Sequence, residues 1–285
     1  MTRPPNCHAC GKWIPQGATV CPHCDTPKDE LKAFFAGLFP KSQDRDEGPA
    51  PLAPLLLLGM VALFGLGVVS AVKGGSPMLS AFMNTANDIT WRLGGVTRWA
   101  RSDAVLDREY WRFVTANFLH FGVIHLVFNG MSLAQLIPLR QAVYGAGLTL
   151  AIFLGTGVAG MVAAYGFAPS GGLVVAGASA GLFGLGGVGL GDAWRSGDRH
   201  ALRQDLLWIA TNTFLGLFIP VSHTAHFGGL LAGFFFGASF PEHKVRRMAG
   251  VERVGTVLGF VSAAVILGCF ALAANGFGHL AASGR

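Results

Sequence analysis

Long apolar runs alternate with short polar breaks along this chain, and the length of the runs, rather than any alternation of period two, sets the architecture. About seven runs approach the roughly 20 residues that a helix needs to cross a hydrocarbon core of ~30 Å. They fall near 52 to 72, 114 to 137, 145 to 167, 177 to 191, 205 to 220, 225 to 240 and 254 to 274. The fourth and sixth are short but dense in small residues, which predicts burial inside a bundle rather than exposure to lipid. From Lys73 to Trp111 the chain mixes Trp91, Arg92, Trp99, Arg101 and Tyr110 with apolar residues, a composition that predicts an amphipathic hairpin at the membrane interface. The pattern as a whole predicts an all-α polytopic membrane protein.

Composition agrees: of 285 residues, 52% are hydrophobic, only 13% are charged and 41 are glycine, a combination foreign to water-soluble domains. The net charge of +6 does not argue for a nucleic-acid partner, because the basic residues are scattered between apolar runs instead of gathered on one face. They set orientation. Arg140 follows the second run, Arg195, Arg199 and Arg203 the fourth, and Lys244, Arg246, Arg247 and Arg253 the sixth, which places these connections in the cytoplasm. The turns near 169 to 175 and 220 to 222 carry no Lys or Arg and are expected on the opposite side. The polar start of the chain, with no long apolar run before Leu52, predicts a cytoplasmic N-terminus. Four regions follow: a cysteine module at 1–26, a charged linker at 27–50, a helical membrane core at 51–240, and at 241–285 a basic loop with one more transmembrane helix.

In the first region, Cys7 and Cys10 form one CxxC pair and Cys21 and Cys24 a second, with ten residues between the pairs. Two such knuckles supply four thiolates to a tetrahedral zinc ion, and a reducing cytoplasm favours zinc over disulfides. So short a segment has almost no core of its own and needs the metal to fold. The expectation is a zinc-ribbon-like head holding structural zinc, with a cytoplasmic partner or a regulatory task.

Ionisable and polar groups are costly inside a bilayer and mark function by default. The candidates are His120, His125, Asn129, Ser179, His223 and His226. Ser179 sits in Gly177-Ala178-Ser179-Ala180-Gly181, a GxSxG pattern in an apolar helical setting. A serine among glycines is also an ordinary packing residue, so the pattern needs a base. His226 opens a helix marked by Ala225, Gly229, Gly233 and Gly237 at intervals of four, a small-residue face that permits close approach of another helix, as do Gly177, Gly181 and Gly184 on the serine's helix. Packed on the serine's helix, that face brings imidazole within the ~3 Å needed to take the hydroxyl proton. His125 and Asn129, four apart, share a helix face and can donate to a developing oxyanion together with the Ser179 backbone N–H. His120 is out of phase with Asn129 and is expected at the loop junction in a supporting role.

Read together, these residues resemble the rhomboid family of intramembrane serine proteases. The resemblance runs from Trp111-Arg112 through His120-Phe121-Gly122-Val123-Ile124-His125-Leu126-Val127-Phe128-Asn129 and Gly177-Ala178-Ser179 to Ala225-His226, Gly229 and Gly233. It implies a six-helix core with an added C-terminal helix, and a Ser–His dyad without a third carboxylate. Ser179 would be the nucleophile and His226 the base, while His125 and Asn129 would hold the oxyanion and His120, Gly177, Trp111 and Arg112 would support the site. No cofactor is implied for the chemistry. The implied partners are the lipid bilayer and transmembrane protein substrates cut in or near their membrane segment; the implied location is a bacterial cytoplasmic membrane with the site toward the outer face. Where the family shows Leu, Gly, Glu and Gly at intervals of four, this chain has Leu133, Ile137, Gln141 and Gly145, a departure that bears on helix packing and loop bracing. Two other readings compete: a catalytically silent relative that captures transmembrane clients, and a metal or haem protein built on His120, His125, His223 and His226.

Overall fold

The computed structural model describes residues 12, 18, 21–23, 52–85, 87–97, 109–167, 174–219, 221–245 and 247–282, without the side chains of 87, 88 and 276–282. Within them the elements are α1 (Leu52–Lys73), α2 (Met78–Met83), α3 (Asn87–Arg92), α4 (Arg112–Thr115), a 3-10 turn (Ala116–Phe118), α5 (Val123–Phe167), α6 (Ser179–Ser196), α7 (Arg199–Leu215), α8 (His223–Ser239), α9 (Glu242–Val245) and α10 (Val251–Ala282). Leu52–Lys73, Val123–Phe167 and Val251–Asn275 are long and apolar enough to cross a membrane. Large apolar side chains stand outward on them, among them Leu55 and Leu58 on α1 and Phe260 and Leu267 on α10. Water does not tolerate faces of that extent, and lipid does. α5 is two near-equal legs broken at Gly145, whose φ of 74° is a left-handed conformation that a side chain resists. Each leg exceeds the roughly 20 residues a bilayer core requires.

α6 forms the centre: every residue from Ala180 to Gly189 is buried. It interlocks with α8 through glycines in both directions. A Cβ on Gly229, Gly233 or Gly237 would run into the carbonyl of Ala180, Gly184 or Val188, and one on Gly187 or Gly191 would strike the carbonyl of Leu230 or Phe234. The spacing of four on each helix repeats these contacts turn by turn, and the backbones approach where no larger residue fits. The second leg of α5 joins them, since a Cβ on Gly160 would meet the Ala225 carbonyl.

α7 is held differently. It has no fully buried residue, and its first turn is capped by Asp198, which accepts from His200 N at 2.9 Å and Ala201 N at 3.0 Å. Three polar links tie one face of it to α5: Asp205 to Arg140 at 3.4 Å, Trp208 Nε1 donating to Gln135 Oε1 at 3.2 Å, and Ser132 Oγ donating to Asn212 Oδ1 at 3.2 Å. Arg140 also donates from Nε to the Leu185 carbonyl on α6 at 3.1 Å. Arg140→Met therefore leaves Asp205 largely buried without its cation. The expected cost is about 2 kcal/mol, recovered in part by the double variant Arg140→Met, Asp205→Leu, as read from denaturant unfolding in detergent micelles. A single variant as stable as the parent would contradict the pairing.

Several expectations need correction. The second helix starts at Val123 rather than 114, because the chain from Arg112 to Phe118 forms a separate short helix and 3-10 turn. Gly122 then lies against the Met83 carbonyl and Thr85 N donates to the Phe121 carbonyl, so this stretch packs on the first loop instead of continuing the helix. Arg140 is not a free loop charge but a partly buried pairing residue inside α5. Gly177, expected on the serine's helix, precedes it with φ 137°. Of the predicted zinc ligands, Cys7, Cys10 and Cys24 lie outside the described residues, as does the linker; Cys21 is buried.

Candidate active site

Two helix starts meet at one end of the bundle. Ser179 is the first residue of α6, and His226 is in the first turn of α8, which Ser222 caps by accepting from Ala225 N at 3.3 Å. The glycine interlock holds these helices so close that His226 Nε2 lies 2.8 Å from Ser179 Oγ. With the ring proton on Nδ1, Nε2 accepts the hydroxyl's hydrogen bond, the geometry of a nucleophile and its base. His226 is only 7% exposed. Its ring lies flat on Phe183, with centroids 4.3 Å apart and planes 9° from parallel. Phe183 was not singled out in the sequence, although its place one helical turn beyond Ser179 puts it on the same face.

The approach to Ser179 is built from the backbone. Val175 pairs with Val96 of the first loop in an isolated antiparallel bridge, Val96 N donating to Val175 O at 3.0 Å and Val175 N to Val96 O at 2.6 Å. Gly177 N then donates to the Ala116 carbonyl at 2.9 Å. Its φ of 137° is open to glycine and strained for other residues, and this turn delivers Ser179 to the helix start. The serine thus sits at a junction of extended chain and helix, where the first amides have no acceptor within the helix and the dipole favours negative charge.

The predicted donors flank this turn. A Cβ on Gly177 would lie 2.9 Å from His125 Nε2 and 3.6 Å from Ser179 Oγ, so the glycine keeps open the space between them. His125 is set between Phe121, stacked at 6.2 Å, and His120, edge-on at 5.1 Å. Among the described residues His125 Nε2 is buried and has no hydrogen-bond partner. Asn129 is buried, and its Nδ2 donates to the His125 carbonyl at 3.0 Å, which commits one of its two amide protons to its own helix. His125, Asn129, Ser179 and His226 all line one cleft of about 420 Å³, counting its open mouth, together with Ser132, Trp208 and Asn212.

The other predicted residues stand outside the cleft. His120 is buried behind His125. Arg112, 3% exposed, donates from Nε to Glu109 at 2.6 Å and from Nη1 to the carbonyls of Trp91 and Gly95, with the rings of Trp91 and Trp111 at 4.8 Å and 4.7 Å. It clamps the first loop, and through Val96 the segment before Ser179. His223 is exposed on α8, 6.0 Å from His226 between ring centres. Among the described residues no three His, Cys, Asp or Glu side chains converge as a metal ion would require, so the four-histidine reading gains no support from geometry.

A hydroxyl paired with imidazole at a cleft inside an apolar helical bundle defines the class: an integral membrane protein with a candidate nucleophilic site. The chain belongs to the rhomboid family, residues 107–243 matching the rhomboid domain. Rhomboid protease GluP of Bacillus subtilis (strain 168) is 31% identical over 163 residues, which is 54% of this chain and 31% of that protein. RHOMBOID-like protein 7 of Arabidopsis thaliana is 32% identical over 148 residues, 50% of this chain and 46% of that one. The rhomboid relative YdcA of Bacillus subtilis (strain 168) is 31% identical over 147 residues, 50% of this chain and 73% of that protein. The chain thus spans less than half the length of the first two of these curated relatives.

Proposed function

We propose that this chain is an intramembrane serine endopeptidase that cuts transmembrane proteins in or near their membrane segment. The observation that carries the reading is the 2.8 Å contact between His226 Nε2 and Ser179 Oγ, set at a cleft within an apolar bundle. The similarity to a relative named as a rhomboid protease supports it. Ser179 Oγ attacks the scissile carbonyl carbon as Nε2 of His226 takes its proton. The carbonyl oxygen becomes an oxyanion, received by the Ser179 N–H, His125 and the free amide proton of Asn129. Collapse expels the amine, which takes the proton back from His226, and leaves an acyl-enzyme. Water, deprotonated by the same imidazole, then hydrolyses the ester.

In the same reading, the two legs of α5 with α1, α6, α7 and α8 form a six-helix core, and α10 is an added seventh helix. The N-terminus and the Arg195 to Arg203 connection face the cytoplasm, and the dyad lies toward the outer face. Purified chain in liposomes with transmembrane test substrates should produce fragments whose new termini, by mass spectrometry, fall within or beside the membrane segment. No cleavage across a panel of such substrates would overturn the assignment and favour a client-binding relative.

For the head, the proposal is one structural zinc held by Cys7, Cys10, Cys21 and Cys24, supported by the spacing of the two CxxC pairs. Purified chain should carry about one zinc per molecule, and the Cys7→Ser, Cys10→Ser variant should carry almost none. Unchanged zinc content in that variant would refute the ligand set.

A further inference from the structure

Of the three polar links that join α7 to α5, one has both its residues in the cleft. Ser132 and Asn212 line it together, whereas Gln135, Arg140 and Asp205, which make the other two links, do not. Trp208 lines the cleft as well, but its Nε1 proton is committed to Gln135. Away from the dyad and the oxyanion donors the lining is largely apolar, with Phe128, Leu182, Leu215 and Ile219, and among the described residues it holds no Lys, Arg, Asp or Glu.

This pair has hydrogen-bonding capacity beyond what joining two helices uses. Ser132 Oγ donates to Asn212 Oδ1 at 3.2 Å, and Asn212 Nδ2 donates to the Trp208 carbonyl at 2.9 Å. A carbonyl only accepts, so the amide has one orientation, and its second Nδ2 proton and the Ser132 lone pairs are uncommitted among the described residues. An apolar side chain that enters the cleft strips these groups of water and returns nothing, whereas a hydroxyl or carboxamide replaces the lost bonds. A charged side chain would find no opposite charge in the lining. A compact space of 420 Å³ is roughly 9 Å across and extended chain advances ~3.3 Å per residue, so the pair reaches side chains within about three residues of the bond held at Ser179.

We infer that Ser132 and Asn212 are specificity residues: they form a polar subsite that selects transmembrane substrates carrying an uncharged hydrogen-bonding side chain, Ser, Thr, Asn or Gln, within about three residues of the scissile bond. The subsite takes the substrate hydroxyl or carboxamide as acceptor for the spare Asn212 N–H and as donor to Ser132 Oγ. Such residues are sparse in membrane-spanning segments, so the subsite narrows where in a segment the cut falls. This rests on the Ser–His endopeptidase reading above.

The experiment uses pairs of transmembrane substrates in liposomes that differ only by Thr or Val, which share a shape, placed in turn at each of the three positions on either side of a mapped cut site. Wild type, Ser179→Ala, Ser132→Ala, Asn212→Leu and Gln135→Leu are compared by kcat/KM. At one position wild type should prefer Thr over Val about tenfold, far short of the ~10⁴-fold seen where a site group is left wholly unpaired, because Ser132 and Asn212 still bond each other. That ratio should fall to near one in Asn212→Leu and drop in Ser132→Ala. Gln135→Leu breaks a link whose residue is outside the cleft and should keep the wild-type ratio. A purely structural role would slow both substrates alike and leave the ratio unchanged, so the Val substrate is the control for folding, and Ser132→Ala decides should Asn212→Leu not fold. A wild-type ratio near one at every position, or a preference for Thr that survives in the Ser132 and Asn212 variants, would overturn the subsite. If wild type cleaves neither substrate, or cleavage survives Ser179→Ala, it is the Ser–His reading that falls, so the two failures are distinguishable.

Discussion

Ser179→Ala and His226→Ala each lower turnover of a transmembrane substrate to background, a loss on the order of 10⁶-fold if the dyad behaves as nucleophile–base pairs do elsewhere. The double variant loses no more than either single one. Such non-additivity follows from the geometry: with Nε2 2.8 Å from Oγ, the hydroxyl is a poor nucleophile without the imidazole, and the imidazole has nothing to deprotonate without the hydroxyl. Binding of substrate, measured with the inert Ser179→Ala protein, should persist, since the cleft walls at Trp208 and Asn212 are untouched. Steady-state cleavage by the four proteins checks this. Losses that add, or a His226→Ala protein retaining a tenth of wild-type rate, would mean that the two residues do not act as a unit.

Gly233→Val removes both fold and activity. The first atom of any side chain at 233 would overlap the Gly184 carbonyl, and a backbone atom in the middle of a buried helix cannot step aside as a flexible side chain can. Relief requires α6 and α8 to separate, and the dyad spans that same pair of helices, so the serine–histidine contact is lost before unfolding is complete. The expected destabilisation is at least about 3 kcal/mol, the upper end for overpacked cores, with cleavage lost even in the fraction that stays folded. Gly155→Ala is the control: nothing lies within 4 Å of the added Cβ, and both stability and activity should stay near those of the parent. Equal tolerance of the two substitutions would contradict the interlock.

Much of this site was legible from the order of residues. The spacing of Ala225, Gly229, Gly233 and Gly237 marked the face of α8 that packs on α6, and the costly polar residues Ser179 and His226 stood out against apolar runs. The face expected on the serine's helix, Gly177, Gly181 and Gly184, was the wrong one: Gly177 precedes α6, and a Cβ on Gly181 or Gly184 would meet Phe153 or Thr156 of α5. It is Gly187 and Gly191 that face α8, because a helix with glycine on every side does not announce which face meets which neighbour. Gly177 was misplaced for a related reason: apolar run and small residues continue unbroken from Val174 into the helix, and only the bridge to Val96 and the bond to Ala116 pull it out. Both partners come from distant parts of the chain. Arg140 was read as a loop charge because its partner Asp205 is 65 residues away. Phe183 escaped notice as one more apolar residue in an apolar helix, its role visible only once His226 lies on it.

The most direct test of the account is to treat the purified full chain with a fluorophosphonate, which forms a stable bond to an activated serine, and to locate the adduct by mass spectrometry. One adduct per chain, on Ser179, absent from Ser179→Ala and nearly absent from His226→Ala, is the predicted result. An adduct on another residue, or labelling of Ser179 at full rate in His226→Ala, would contradict the claim that this pair is the catalytic unit.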